Sequence, residues 1–353
     1  MLWFAATGIS ILLILLEAIL ILILSNILVP VNIKVSHLLG IEAKPSERRI
    51  HKGLIPEAGG LSFALPIILA QASFYLFGAD QEMGEMLLKL SWVGIITIVF
   101  GLWDDRFETP ALLKLGWQII ISTLMFIIGY RVSYLTNPLG ADFILGWMSF
   151  PVTLLWFLVI LNAINLIDGM DGLACGITII VSAVLLIVGF HQGNQLVIAI
   201  SAFLLAGNLA FLRFNFYPAR IFMGETGAMF IALNIAAIST AGSSQFKGIT
   251  SMTLMIPLAV LAVPLLDVFL AVFRRIKLGN IFKADKAHLH HTMLAFGFSQ
   301  RTISLIVYVV TTLFGLIAIG FSLSSKKLLF SVLLGLLALM VIIAYLIMRQ
   351  ENK

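Results

Sequence analysis

Apolar runs of about 17 to 25 residues recur along the whole chain, and this feature limits the possible folds more than any other. Each run can cross a hydrocarbon core about 30 Å thick as an α-helix, whereas barrel strands would be about 10 residues long and alternating. With 61% hydrophobic residues, 11% charged residues and a mean hydropathy of +1.09, the chain cannot clothe a water-soluble core in polar surface. The expected fold class is therefore all-α, a polytopic integral membrane protein. Polar and Gly/Pro breaks divide it into eleven predicted helices, at residues 3–29, 60–77, 87–103, 112–130, 147–163, 173–190, 195–212, 227–242, 251–273, 302–322 and 327–348. The stretch from Arg131 to Phe150 is expected to be partly interfacial.

The first run is too long for a cleaved leader and lacks a basic start, so it is expected to remain as the first span. An outside N-terminus leaves only Lys89, Arg131, Lys247, Lys326 and Lys327 outside, with the other 17 of the 22 Lys and Arg residues inside. The positive-inside rule then predicts the N-terminus out and the C-terminus in. No repeat or low-complexity tract interrupts the chain, so residues 1–353 are read as one domain. Cys175, between Ala174 and Gly176, excludes an intramolecular disulfide and reads as a small packing residue.

Polar clusters mark the inside loops. Trp103-Asp104-Asp105-Arg106 ends the third predicted span with adjacent carboxylates, a pair that either binds a cation or shares a proton as a base. The plain alternative is a solvated helix end with Arg106 as counter-ion. In Asn162-x-x-Asn165-x-x-Asp168-x-x-Asp171, polar side chains recur every third residue. Neighbouring members share a helix face, but the first and last drift about 180° apart, so two tasks are expected. Asn162 and Asn165 belong toward the span, and Asp168 and Asp171 at its loop end. An Asx-rich turn explains the Asp-Gly steps but not the asparagines before them.

From Phe211 to Gly227, Arg213 and Arg220 suit phosphate, Phe222 suits a base, and Glu225, between Gly224 and Gly227, suits a metal; Asn215 is a further polar contact. The alternative there is an aromatic belt with snorkelling arginines. His288, His290 and His291 raise the thought of zinc, yet no cysteine accompanies them, and the nearby Lys283 and Lys286 favour an anionic ligand such as phosphate. A transporter or lipid scramblase is the rival reading, motivated by Glu17 and Asn26 within the first span.

Together these segments, with Lys44-Pro45, Pro56, Gly59-Gly60, Pro264 and Asp267, resemble the polyprenyl-phosphate N-acetylhexosamine 1-phosphate transferases that initiate teichoic acid, O-antigen (lipopolysaccharide) and related polymers. The resemblance implies eleven spans, a cytoplasm-facing site in the cell membrane, and magnesium, with manganese able to replace it. It also implies attack by the phosphate of undecaprenyl phosphate on the β-phosphorus of a UDP-sugar, with release of UMP. Carried over residue by residue, Glu225 would bind metal, Phe222 would stack on uracil, Asn165 and Asp171 would contact the nucleotide, and His288, His290 and His291 would handle phosphate. Asp104 and Asp105 would engage the lipid phosphate or metal, and Asp168 would complete the acidic cluster.

The sequence His288-Leu289-His290-His291 differs from the three consecutive histidines of the sibling transferase for phospho-muramoyl pentapeptide, which favours N-acetylglucosamine in the donor. Glu225 stands where the family commonly has Asp, Ala228 where a small hydroxyl residue is frequent, and Ala43 where an acid often precedes Lys-Pro. The implied partners are the UDP-sugar, undecaprenyl phosphate and the lipid bilayer, with no nucleic acid; a homodimer is left open.

Overall fold

The computed structural model describes residues 2–43, 54–135, 143–245, 293 and 297–323. Nine α-helices lie among them: α1 (Leu2–Leu39), α2 (Leu61–Phe77), α3 (Gln81–Phe107), α4 (Ala111–Ile127), α5 (Ser149–Ile167), α6 (Leu173–Gln192), α7 (Gln195–Asn215), α8 (Gly224–Gln245) and α9 (Gln300–Leu323). Six of these, α1, α3, α5, α6, α7 and α9, are long and apolar enough to cross a membrane, while α2 and α4 are shorter apolar helices. The predicted spans at 251–273 and 327–348, Pro264, Asp267, and all three histidines of the His-Leu-His-His motif lie outside the described residues.

Short hairpins depart from the purely helical expectation. β1 (Glu42–Ala43) pairs antiparallel with β2 (Ile55–Pro56), and β3 (Tyr134–Leu135) with β4 (Phe143–Ile144). The second hairpin and the 3-10 turn Gly146–Met148 occupy the stretch expected to be interfacial, and they expose Phe143, Ile144 and Trp147.

α8 is the hub. Every residue from Thr226 to Ala241 is buried, as befits a helix that is apolar all round and packed by α2, α3, α5 and α7. α1 behaves oppositely. Ile14, Ile21, Ser25 and Val29 turn inward, whereas Leu12, Leu16, Ile19, Leu20, Ile23 and Ile27 stay exposed, an apolar face suited to lipid. At 1.5 Å per residue its 38 residues reach about 57 Å, beyond what a hydrocarbon core requires. The surplus carries Asn32 and Ser36 to the site end, where they donate to the carbonyls of Ala58 (2.7 Å) and Glu57 (2.8 Å).

Interior polar side chains tie helices together, because a lone polar group at such depth would be costly. Gln71 of α2 donates to Asn234 of α8 at 2.8 Å, and the Trp156 indole of α5 donates to Ser239 of α8 at 2.8 Å. Glu17, which motivated the transport reading, accepts from Ser73 of α2 at 2.7 Å and so joins α1 to α2.

The ends of α3, α5 and α7, the start of α8, and the segment after β2 meet at one end of the bundle. Glycines permit the closeness. A Cβ on Gly60 would lie 2.1 Å from the Cα of Gly227, and one on Gly101 would lie 2.5 Å from the Cα of Thr226. Backbone pairing completes the junction: Phe222 N–H donates to Pro56 O, Gly59 N–H to Phe222 O and Gly60 N–H to Met223 O, each at 2.9 Å.

Candidate active site

The third predicted span runs four residues further than expected, so Asp104 and Asp105 sit in the last turn of α3. Carboxylates there oppose the helix macrodipole and need compensation. The two receive it from different sources. Asp104 is buried, with 6% of its surface exposed; Oδ2 lies 3.2 Å from Lys114 Nζ of α4, and Oδ1 accepts Thr109 N–H at 2.7 Å. Asp105 instead faces the positive end of α8, accepting Glu225 N–H at 2.6 Å and Thr226 N–H at 3.1 Å.

Glu225 lies in the first turn of α8 rather than in the loop before it. Gly224, at φ +70°, turns the chain into that helix, and an acid in a first turn is favoured by the macrodipole. Its carboxylate is shared: Oε1 pairs with Lys114 Nζ, and Oε2 accepts from Asn165 Nδ2 of α5. Lys114 thus bridges Asp104 and Glu225.

α5 ends at Ile167 with Asp168 at its C-cap, whose N–H donates to Asn165 O at 3.3 Å. Burial pushes the Asp168 carboxyl well above the usual carboxylate range, and the charges of Glu225, Asp105, Glu57 and Asp171 push the same way. Asp171 accepts Ala219 N–H at 2.9 Å, while α9 braces the turn from behind: Tyr308 OH donates to Gly172 O at 2.6 Å and Ser304 Oγ to Asp171 O at 3.4 Å.

The structure therefore gathers Asp104, Asp105, Asn165, Asp168, Asp171 and Glu225 at one end of the bundle. The side chains of Asn162 and Asn215 are tied into neighbouring structure instead. Asn162 donates to Gln118 of α4 at 2.9 Å, and Asn215 is buried and donates to Ile221 O at 2.9 Å, shaping the loop after α7. Arg220 is exposed and its backbone closes that loop on Phe214 O at 2.8 Å; Phe222 is half-buried. Lys114 and Glu57 were missed as site residues. The sequence signal for Lys114 is a lone cation inside the apolar string Leu112-Leu113-Lys114-Leu115, which charge counting registers only as one of the inside cations.

Magnesium takes oxygen ligands and commonly uses one or two carboxylates together with substrate phosphates and water. Among the described residues, no three acid, histidine or cysteine groups converge tightly enough to cage an ion alone. Yet Glu225, Asp168 and Asn165 offer hard oxygens, and the carboxylate repulsion that adds to burial in raising Asp168 is what a cation would relieve. The donor set fits an ion that arrives with a diphosphate.

A family model described as glycosyl transferase family 4 matches residues 87–243, which include all of these acids except Glu57. The chain is 34% identical over 295 residues to a probable undecaprenyl-phosphate N-acetylglucosaminyl 1-phosphate transferase of Bacillus subtilis, covering 83% of this chain and 80% of that protein. It is 35% identical over 318 residues to a decaprenyl-phosphate N-acetylglucosaminephosphotransferase of Mycobacterium tuberculosis, covering 82% and 77%. With the undecaprenyl-phosphate alpha-N-acetylglucosaminyl 1-phosphate transferase of Escherichia coli the identity is 27% over 298 residues, covering 81% and 78%.

Proposed function

The chain belongs to the glycosyl transferase family 4 of membrane-bound polyprenyl-phosphate N-acetylglucosamine 1-phosphate transferases, and from that premise we propose how its site performs the transfer. An oxygen of the polyprenyl phosphate, here undecaprenyl phosphate, bonds to the β-phosphorus of UDP-N-acetylglucosamine. The bond from that phosphorus to the bridging oxygen breaks, its electron pair leaves on UMP, and the sugar phosphate remains on the lipid as a diphosphate. The observation that carries this reading is the sharing of Lys114 between Asp104 and Glu225, beside Asn165 and Asp168.

Phosphoryl transfer demands positioning and charge neutralisation more than a protein nucleophile. Lys114 supplies a compact cation that can exchange a carboxylate partner for a phosphate oxygen. Asp104, fixed by Thr109 N–H, keeps that ammonium on station. Asn165 and Asp171 contact the nucleotide, Phe222 stacks on uracil, and His288, His290 and His291 take phosphate oxygens. Glu225 and Asp168 would hold a magnesium ion, which when bound to the diphosphate neutralises charge on the departing UMP.

The site faces the cytoplasm in an eleven-span, single-domain protein. The distribution of Lys34, Arg106, Lys114, Arg213, Arg220 and Arg301 on segments leading to this end supports that orientation. Protein purified in detergent should release UMP from UDP-N-acetylglucosamine only when undecaprenyl phosphate is also present. Release without the lipid would identify a diphosphate hydrolase, and no release with both substrates and magnesium would remove the proposal.

A further inference from the structure

Two adjacent aspartates invite one shared task, but their surroundings divide them. Asp104 points to Lys114, whereas the Asp105 carboxyl turns to α8: Oδ1 accepts Glu225 N–H at 2.6 Å, and Oδ2 accepts Thr226 N–H at 3.1 Å and Thr226 Oγ1–H at 2.5 Å. Three donors on two oxygens make a helix cap supplied by another helix.

The junction is built for this grip. Gly101, one turn before Asp105, lets α3 meet Thr226, and Gly60 lets the segment after β2 meet Gly227. A Cβ on Gly224 would come within 2.7 Å of Asp105 Oδ2, so the carboxylate occupies the space a side chain there would need. Thr226 is fully buried, which leaves its hydroxyl directed at Asp105 rather than at water. We infer that Asp105 is a positioning residue, which clamps the first turn of α8 to α3 and thereby sets Glu225 against Lys114 and Asn165, rather than a group that touches either substrate. This inference rests on the transferase reading for its kinetic consequence, though not for the clamp itself.

The experiment compares wild type, Asp105→Asn, Thr226→Val, Thr226→Ser and the Asp105→Asn/Thr226→Val pair. Asn puts an amide donor against the α8 donors, and Val deletes the hydroxyl at nearly constant volume. A buried donor or acceptor left unpaired costs a factor of roughly five to a hundred in an equilibrium, so Thr226→Val should lower kcat about 5- to 20-fold and Asp105→Asn about 100-fold, with the KM for UDP-N-acetylglucosamine little changed. Thr226→Ser should restore wild-type kcat. The pair should be no worse than Asp105→Asn alone, because both changes remove one linkage.

Hydrogen exchange over residues 222–228 of the ligand-free protein gives a readout independent of turnover. Exchange there should accelerate in Asp105→Asn and Thr226→Val but not in Thr226→Ser. Unchanged exchange in Asp105→Asn with turnover lost, or a silent Thr226→Val, would overturn the inference and return Asp105 to direct action on substrate. If wild type released no UMP, the transferase reading would fall, while hydrogen exchange would still decide whether Asp105 clamps α8.

Discussion

Glu225→Gln should leave the helices assembled and lower UMP release by about 10² to 10³, because a neutral amide is a poor ligand for a hard cation and a poor partner for an ammonium. The carboxylate at this position meets Lys114 on one oxygen and Asn165 on the other. Gln keeps the length but presents one of these neighbours with the wrong group: its amide nitrogen would face either the ammonium or the Asn165 amide. Glu225→Asp keeps the charge and loses one methylene, so it should retain much more activity, at a higher magnesium requirement. The check is UMP release across a magnesium titration, with binding of UDP-N-acetylglucosamine measured separately to establish that the site is assembled. Wild-type turnover of the Gln variant at unchanged magnesium dependence would remove Glu225 from the ion's ligands and leave Asp168 as the acid to test next.

Lys114→Met should cost both turnover and stability. Met preserves the apolar stem while removing the cation that separates Asp104 from Glu225, and both carboxylates are largely enclosed, with 6% and 24% of their side-chain surface exposed. Taking one partner from a buried pair costs about 3–5 kcal/mol when the remaining charge is uncompensated. The expected result is a lower melting temperature in detergent, partly recovered by millimolar magnesium because a divalent ion can stand between the same acids. Turnover should stay at least about 10² below wild type even then, since the ion does not replace the point charge offered to phosphate. Lys114→Arg should keep the melting temperature and part of the turnover. A Met variant that melts and turns over like wild type would show that the bridge contributes nothing to either.

Most helix positions were readable from hydropathy because lipid imposes a length and an apolar composition on every span. Their ends were not, since an end depends on what it meets. α3 continues through Asp104 and Asp105 because Lys114 and the α8 amides compensate those charges, and α8 starts at Gly224 because Asp105 caps it. The Asn-x-x-Asn-x-x-Asp spacing predicts a split between the two asparagines and the two aspartates, but the division falls between the asparagines themselves. Asn165 turns to Glu225 while Asn162, one turn earlier, turns to Gln118. No local period could reveal Lys114, because its value comes from two acids on different helices, one of them far along the chain. Glycines were similarly ambiguous: Gly60 and Gly101 look like breaks or helix residues until the approach of α8 shows why no Cβ is tolerated.

In the proposed transfer the β-phosphorus travels with the sugar. UDP-N-acetylglucosamine labelled at that phosphorus, incubated with the purified protein, undecaprenyl phosphate and magnesium, should deliver its label to the lipid fraction in step with release of unlabelled UMP. Sugar appearing on the lipid while the label remains in soluble UDP would mean glycosyl transfer and would rule out phosphosugar transfer.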